Sequence, residues 1–342
     1  FGIAWIANVF AMCALALGLI IRGYSESLFG FDISTAYIPH GIMIGAGLIA
    51  LLQILRVMYR ERRQGDNDTS PQRPTRSALQ LRRAMISGLT AYLIVALILA
   101  FGTGIYTGMS FGMLIGWLAA MASELIVGIA AMHSGWFPSF ATALIFLVIG
   151  MLIGFPTTAL GVLVAFTVAT GPAFADMAYD LKAGWIIRGE GSDRDYELDG
   201  RRQQYFAELF SFGVAIVIVA FAFNAYFAAD LVPPVARVYV ATIDAGASAE
   251  IAKHLAIWAC VGAVVQAVGG MSRQIGVLLA TGLLITSPLA GIVIYIALVI
   301  RWLVVKRFGD SGSQKLYILG AGFITGSALY SFFSSTLRLG SK

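Results

Sequence analysis

The chain is expected to fold as an all-α polytopic transmembrane helix bundle of about eight or nine spans, with at least one discontinuous or re-entrant helix near Pro288. Three observations carry that expectation. Of the 342 residues 59% are hydrophobic and only 12% are charged, where a soluble domain carries roughly 25% charged residues. Mean hydropathy is +0.84. The apolar residues also fall in long blocks, as segments surrounded by lipid do, instead of in the amphipathic stripes of a soluble core. The lipid bilayer is therefore the first partner of this protein.

Charge and cysteine usage narrow the class further. The net charge is +5, but in a membrane protein basic residues chiefly set orientation, so no nucleic-acid partner is implied. Cys13 and Cys260 each sit inside an apolar block, which points to neither a disulfide framework nor a cysteine metal site. No signal peptide is evident, because the chain opens at Phe1 directly into an apolar run with no basic leader region, and the missing initiator Met reads as a trimmed start.

The spans follow in order. Ile3 to Ile21 supplies the roughly 20 apolar residues that a crossing needs and ends at Arg22. Tyr37 to Val57 is the second, joined to the first by a short, near-neutral segment whose Tyr24, Phe29 and Phe31 suit an interfacial aromatic belt. The main polar break comes next. Arg56 to Arg83 concentrates arginine, with Pro71 and Pro74, and reads as a disordered basic loop on the cytoplasmic side. The chain thus divides into 1–58, 59–83 and 84–342.

Within the last part, Ala84 to Tyr106, Phe111 to Met132, Phe140 to Phe155 and Thr158 to Met177 are spans, the last two split by Pro156. A second polar loop, 180–204, then returns to the cytoplasm by count of crossings. Phe206 to Ala228 leads to an outer loop, 230–253, which is poor in Lys and Arg as an external loop should be. His254 to Gly270 and Gln274 to Val305 follow, and here the count fails, because Arg301, Lys306 and Arg307 would face outward after two simple spans. Gln274 to Val305 would be roughly 48 Å long as one helix, too long for a core of about 30 Å. Thr286-Ser287-Pro288 divides it. A helix broken there restores the parity, and a break at membrane depth is tolerated only beside protein or a watery cavity, which makes Thr286, Ser287 and Pro288 site candidates. Leu316 to Leu337 closes the chain, with glycines at 320, 322 and 326 suited to close helix packing.

Several of these stretches together resemble a known family. Ser123-Glu124-Leu125-Ile126-Val127-Gly128, Pro156, Asp180-Leu181-Lys182-Ala183-Gly184, Arg201-Arg202-Gln203-Gln204, the break from Gly282 to Pro288, and Gly320-Ala321-Gly322-Phe323-Ile324-Thr325-Gly326 are similar, in this order, to the oligopeptide transporter family, which includes the yellow-stripe metal-chelate carriers. The resemblance covers residues 110 to 342. It implies proton-driven uptake of small peptides or peptide-like metal chelates, by a membrane-embedded symporter of two related halves. Members are about twice this length, so the resemblance is to the C-terminal half and implies a second transporter half or a homodimer partner. Two departures stand out: Ser287-Pro288 replaces the family's proline pair, and Gly326-Ser327 replaces its Gly-Glu.

The candidate residues have competing readings. Glu124 costs a few kcal/mol inside a spanning helix unless paired or facing water, and a proton-coupled carrier needs a titratable group of that kind. A helix–helix hydrogen bond explains it equally well. Ser123 comes in with the same motif. Asp176 and Asp180, four residues apart, share a helical face, although a solvated helix end accounts for them more cheaply. His40, His133 and His254 lie near helix ends, where an interfacial histidine is the simpler account, so no metal site is expected. Gln53, Asn224 and Gln266 read as interhelical hydrogen-bonding amides. No cofactor motif is present, and no HExxH, Gly-x-Ser-x-Gly or paired catalytic set points to an enzyme. The alternative to a carrier is a non-transporting membrane subunit that scaffolds a larger complex.

Overall fold

A computed structural model describes residues 2–64, 78–102, 104–120, 139–228, 232–270 and 273–339. The described residues are helical almost throughout and include no strand. In chain order the helices are α1 (Gly2–Gly23), α2 (Ser25–Phe29), α3 (Ile38–Gln64), α4 (Ala78–Gly102), α5 (Phe111–Ala120), α6 (Ser139–Ile153), α7 (Thr157–Ile187), α8 (Arg194–Ala228), α9 (Pro234–Ala247), α10 (Ala249–Gly269), α11 (Ile275–Leu284) and α12 (Pro288–Leu339). Five helical segments are long and apolar enough to cross a membrane, namely Arg82–Gly102, Thr157–Ile187, Arg194–Ala228, Ala249–Gly269 and Pro288–Ser334. The chain is a polytopic helical membrane bundle.

Glycine and proline set the breaks. α6 ends where Gly154 takes φ +89°, and the Phe155 N–H donates to the Gly150 carbonyl at 2.8 Å, closing the helix before Pro156 begins the next. α12 is interrupted at Gly309, whose φ of 58° and ψ of −142° only glycine adopts freely. The chain folds back there, and Arg301 donates to the Tyr317 hydroxyl at 3.2 Å across the turn.

The polar stretches are more helical than their composition suggests. α3 runs on to Gln64 and α4 starts at Ala78, so the ends of the 59–83 segment are helical, and residues 65–77 lie outside the described residues. Most of 180–204 is also helix, with only 188–193 between α7 and α8. The start of α8 explains this: Asp193 Oδ1 accepts the Asp195 and Tyr196 amides at 3.1 Å each, and Glu197–Arg201 and Asp199–Gln203 pair one turn apart. Likewise 230–253 contains α9, begun at Pro234 and separated from α10 by Ser248, whose Oγ caps the Ile251 N–H at 3.4 Å.

Two buried clusters hold the bundle. Trp117, Leu144, Leu147, Phe155, Leu160 and Leu163 centre the first, between α5, α6 and α7, and the Trp117 indole donates to the Ala96 carbonyl at 3.2 Å. Ile33, Ile42, Met43, Val238, Ala280 and Leu283 form the second. Around the second, backbones touch. A side chain at Gly45 would meet the Ala259 carbonyl, one at Gly262 the Ile42 backbone, and one at Gly18 or Gly282 the backbone of the opposite helix of the α1–α11 pair. Lipid supplies no hydrophobic drive between helices, so close approach through small residues is what holds these pairs.

The direction of each helix follows from these contacts. Along α11 and its flanks, Arg273 lies over Phe10, Leu279 to Leu283 lie against Leu15 to Leu19, and Pro288 packs on Gly23, so α11 runs parallel to α1. The next stretch runs the other way. Gly291 meets Ala16, and the Tyr295 hydroxyl donates to the Cys13 carbonyl at 3.2 Å. The chain therefore reverses at 285–287. Because α3 leaves from beside the end of α1, the basic end of α3 at Arg56 and the Arg301–Arg307 run point toward the same end of the bundle, as the parity of the sequence required.

Gln266 secures the other end of α11. It is fully buried; its Oε1 accepts the Gly276 and Val277 amides at 3.1 and 3.2 Å, and its Nε2 donates to Gln53 Oε1 at 3.0 Å. A side chain from α10 thus caps the first turn of α11, and two of the three lone amides of the sequence, Gln53 and Gln266, are partners.

Candidate functional site

Where the chain reverses, a cavity of about 950 Å³ opens. Leu284, Ile285 and Thr286 line one side, α9 supplies Ala236, Arg237, Val240, Ala241 and Asp244, and Arg22, Asp32, Ser34, Tyr37 and His40 complete the wall. The broken helix read from the sequence near Pro288 runs beside this cavity. The sequence did not mark the charged residues around it.

Each wall is fixed by its own local structure. Arg22 closes α1 and makes a two-pronged ion pair with Asp32, at 2.5 Å from Nη1 and 3.2 Å from Nη2. Asp32 Oδ1 also accepts the Ser34 N–H at 2.8 Å, an Asx turn. Ile33 is buried in the second core cluster and anchors this loop to α9 and α11. Tyr37 then enters α3 at φ +56°, a left-handed conformation that costs a non-glycine residue about 1 kcal/mol. Its ring meets the edge of His40 at 5.8 Å between centroids. His40 is only 8% exposed. Its Nδ1 and the Arg22 Nε are buried with no hydrogen-bond partner.

Burial pushes the Asp32 carboxyl up, but the Ser34 amide and the Arg22 guanidinium outweigh it and hold the group below its ordinary 3.8. A depressed carboxylate stabilises the fold fully above its unfolded value and loses that contribution as pH falls through the folded one. The Asp32 side chain is 32% exposed, so solvent screening keeps the effect to about 1 kcal/mol. Asp32→Asn is expected to lower thermal stability at pH 7 and to differ less from wild type as pH falls, which unfolding in detergent at pH 7 and at acid pH checks.

The other sequence candidates separate into three groups. Thr286 lines the cavity, while Ser287 and Pro288 shape its rim, the Ser287 N–H donating to the Ile285 carbonyl at 3.0 Å and the Pro288 ring packing on Gly23. Asp176 and Asp180 lie elsewhere, on α7, facing Glu208 of α8. Ser123, Glu124 and His133 lie outside the described residues.

The matching motifs at 180–184 and 201–204 turn out to meet. Gln204 donates to the Asp180 carbonyl at 2.9 Å and accepts from Arg188 at 2.7 Å, while the covered carboxylate of Glu197 takes Arg188 at 2.7 Å and Arg201 at 2.8 Å. A side chain at Gly184 would strike Gln204. These residues form a clamp that closes the α7–α8 hairpin, so their role in the fold is to hold two helices together. By contrast, among the described residues nothing lies within 4 Å of a side-chain carbon placed on Gly320, Gly322 or Gly326. Among the described residues no group of three His, Cys, Asp or Glu is placed to hold a metal ion.

A family model described as "OPT oligopeptide transporter protein" matches residues 22–338. The match begins well before residue 110, where the resemblance of the motifs starts. Searches among curated proteins and among solved structures found no match.

Proposed function

Because the chain belongs to the oligopeptide transporter family, whose members are transporters and not enzymes, we propose that it is one half of a secondary active transporter that takes up short peptides or peptide-like metal chelates with protons. The observation that carries this reading is the cavity at the chain reversal. It is large enough for a small solute, since ligand pockets run from about 300 to 1,000 Å³. It also lies where discontinuous helices meet, the position at which carriers of several folds bind their cargo. Among the described residues its charges, Arg22, Arg237, Asp32 and Asp244, sum to zero, which suits a dipolar solute better than an ion.

Three finer assignments belong to the same proposal. Glu124 is the coupling acid, on the ground that a lone carboxyl in an apolar block needs either a partner or a proton. The bundle sits in the cytoplasmic (inner) membrane of the cell with 59–83 and 180–204 on the cytoplasmic side, as their arginines suggest. A second half or a second copy of the chain completes the carrier. The support for that partner is the apolar stretch of α8, which no described residue buries, together with the glycine face of α12, on which no described residue packs.

The same two surfaces favour the second reading, a scaffold subunit without transport of its own. Uptake into proteoliposomes, with and without an inward acid gradient, separates them. A panel of di- to tetrapeptides and metal chelates is expected to include members whose uptake the gradient accelerates, and Glu124→Gln is expected to abolish that acceleration. Uptake with unchanged pH dependence in Glu124→Gln removes the residue from coupling. No uptake of any panel member with the partner present favours the scaffold.

A further inference from the structure

The geometry points to a carboxylate-binding pole in the cavity, formed by Arg22, His40 and Arg237, which reads the free anionic end of the solute. This rests on the cavity being the solute site. The first ground is a pair of orphaned atoms: the Nε of Arg22 and the Nδ1 of His40 are both buried without a partner, and both residues line the cavity. Buried polar atoms are almost always satisfied, so two on one cavity wall mark a place where a ligand group is missing.

The chemistry of the Arg22 guanidinium selects an anion. A guanidinium offers five N–H donors and no acceptor. Asp32 engages Arg22 through Nη1 and Nη2 only, which leaves the Nε–H for a second carboxylate. The guanidiniums of Arg22 and Arg237 both act on the His40 imidazole, so all three side chains converge on one region. Of the two carboxylates among the described lining residues, Asp32 is already engaged by Arg22 and the Ser34 amide.

α9 carries the opposite pole. Arg237 and Asp244 are seven residues apart and both line the cavity, two turns along the helix and about 10 Å of axial rise at 1.5 Å per residue. The solute's carboxylate then sits at Arg22, His40 and Arg237, and its ammonium at Asp244.

The test is binding of tri-alanine and of tri-alanine amide to the purified full chain in nanodiscs, with Arg237→Gln, Arg237→Lys and Thr286→Trp alongside and retention on gel filtration as the check of fold. Expected results are at least about tenfold weaker binding of the amide to wild type, loss of most of that difference in Arg237→Gln, and its partial return in Arg237→Lys. Equal binding of acid and amide to wild type, with both lost in Thr286→Trp, overturns the carboxylate pole and leaves the cavity standing. Binding of neither peptide, or binding that Thr286→Trp does not disturb, overturns the pole and the solute site together.

Discussion

Gly262→Val is expected to leave almost no correctly folded protein. The first carbon of any side chain at this position would fall on the Ile42 backbone, 2.7 Å from its Cα and 2.8 Å from its carbonyl carbon. Backbone cannot yield as a flexible side chain does, so α3 and α10 would have to separate along their length, and Gly45 and Ala259 would lose their contact one turn away. Overpacking costs typically 1–3 kcal/mol where neighbours can adjust, and about 3 kcal/mol or more is expected here. The monodisperse fraction of a fluorescently tagged protein on gel filtration measures it. Gly213→Val on α8, where nothing lies within 4 Å, is the control and should behave as wild type. Similar losses in both variants would show that the α3–α10 contact is not what the bundle depends on.

Gln266→Leu is expected to destabilise by about 2–4 kcal/mol, because it removes the acceptor of two buried amides and the partner of Gln53 at once. Interhelical side-chain hydrogen bonds in membranes are individually worth less, often under 1 kcal/mol. Here, however, Gln266 is the one acceptor of these N–H groups among the described residues, and an uncapped helix start inside a bundle is costly. Thermal unfolding in detergent reads the loss. Gln53→Leu should cost less, since Gln266 keeps its bonds to α11, and the double variant should cost less than the sum of the two. Additive effects would mean that the two amides do not act as a pair.

These two variants probe what the sequence revealed and what it did not. The break at Pro288 was legible because a 32-residue apolar run is too long for one crossing and because the basic residues after it fell on the wrong side. Gln53 and Gln266 were legible as interhelical amides, since a lone amide in an apolar block has few other uses. The cavity lining was not. Arg22, Asp32, Arg237 and Asp244 stand at or beyond the ends of spans, where charged residues are ordinary, and only the folded loop at 30–37 and the placement of α9 bring them together. His40, read as an interfacial histidine, is instead buried on that wall. α9 itself was hidden by Arg237 and Asp244, whose charges made a helical stretch read as loop. The helical ends of 180–204 were hidden for a related reason: they are supported by ion pairs and caps, which hydrophobic periodicity does not report.

The family motifs divide in the same way. The stretches at 180–184 and 201–204 are accounted for by the Gly184–Gln204 contact and the Arg188–Glu197–Arg201 cluster, so their residue types answer to the closing of a hairpin. The break from Gly282 to Pro288 answers to the reversal of the chain, because Gly282 lets α11 lie on α1 and the three residues after Leu284 carry the chain past the cavity.

The most direct test of the proposed solute site is uptake of labelled tripeptide by proteoliposomes containing Thr286→Trp, with Thr286→Ser as control. Thr286 is exposed within the cavity wall, so an indole there fills the hollow without entering the packed core. Uptake should fall to the level of empty vesicles in Thr286→Trp, with gel-filtration behaviour unchanged, and stay near wild type in Thr286→Ser. Wild-type uptake in a well-folded Thr286→Trp protein would contradict the assignment of the cavity as the solute site.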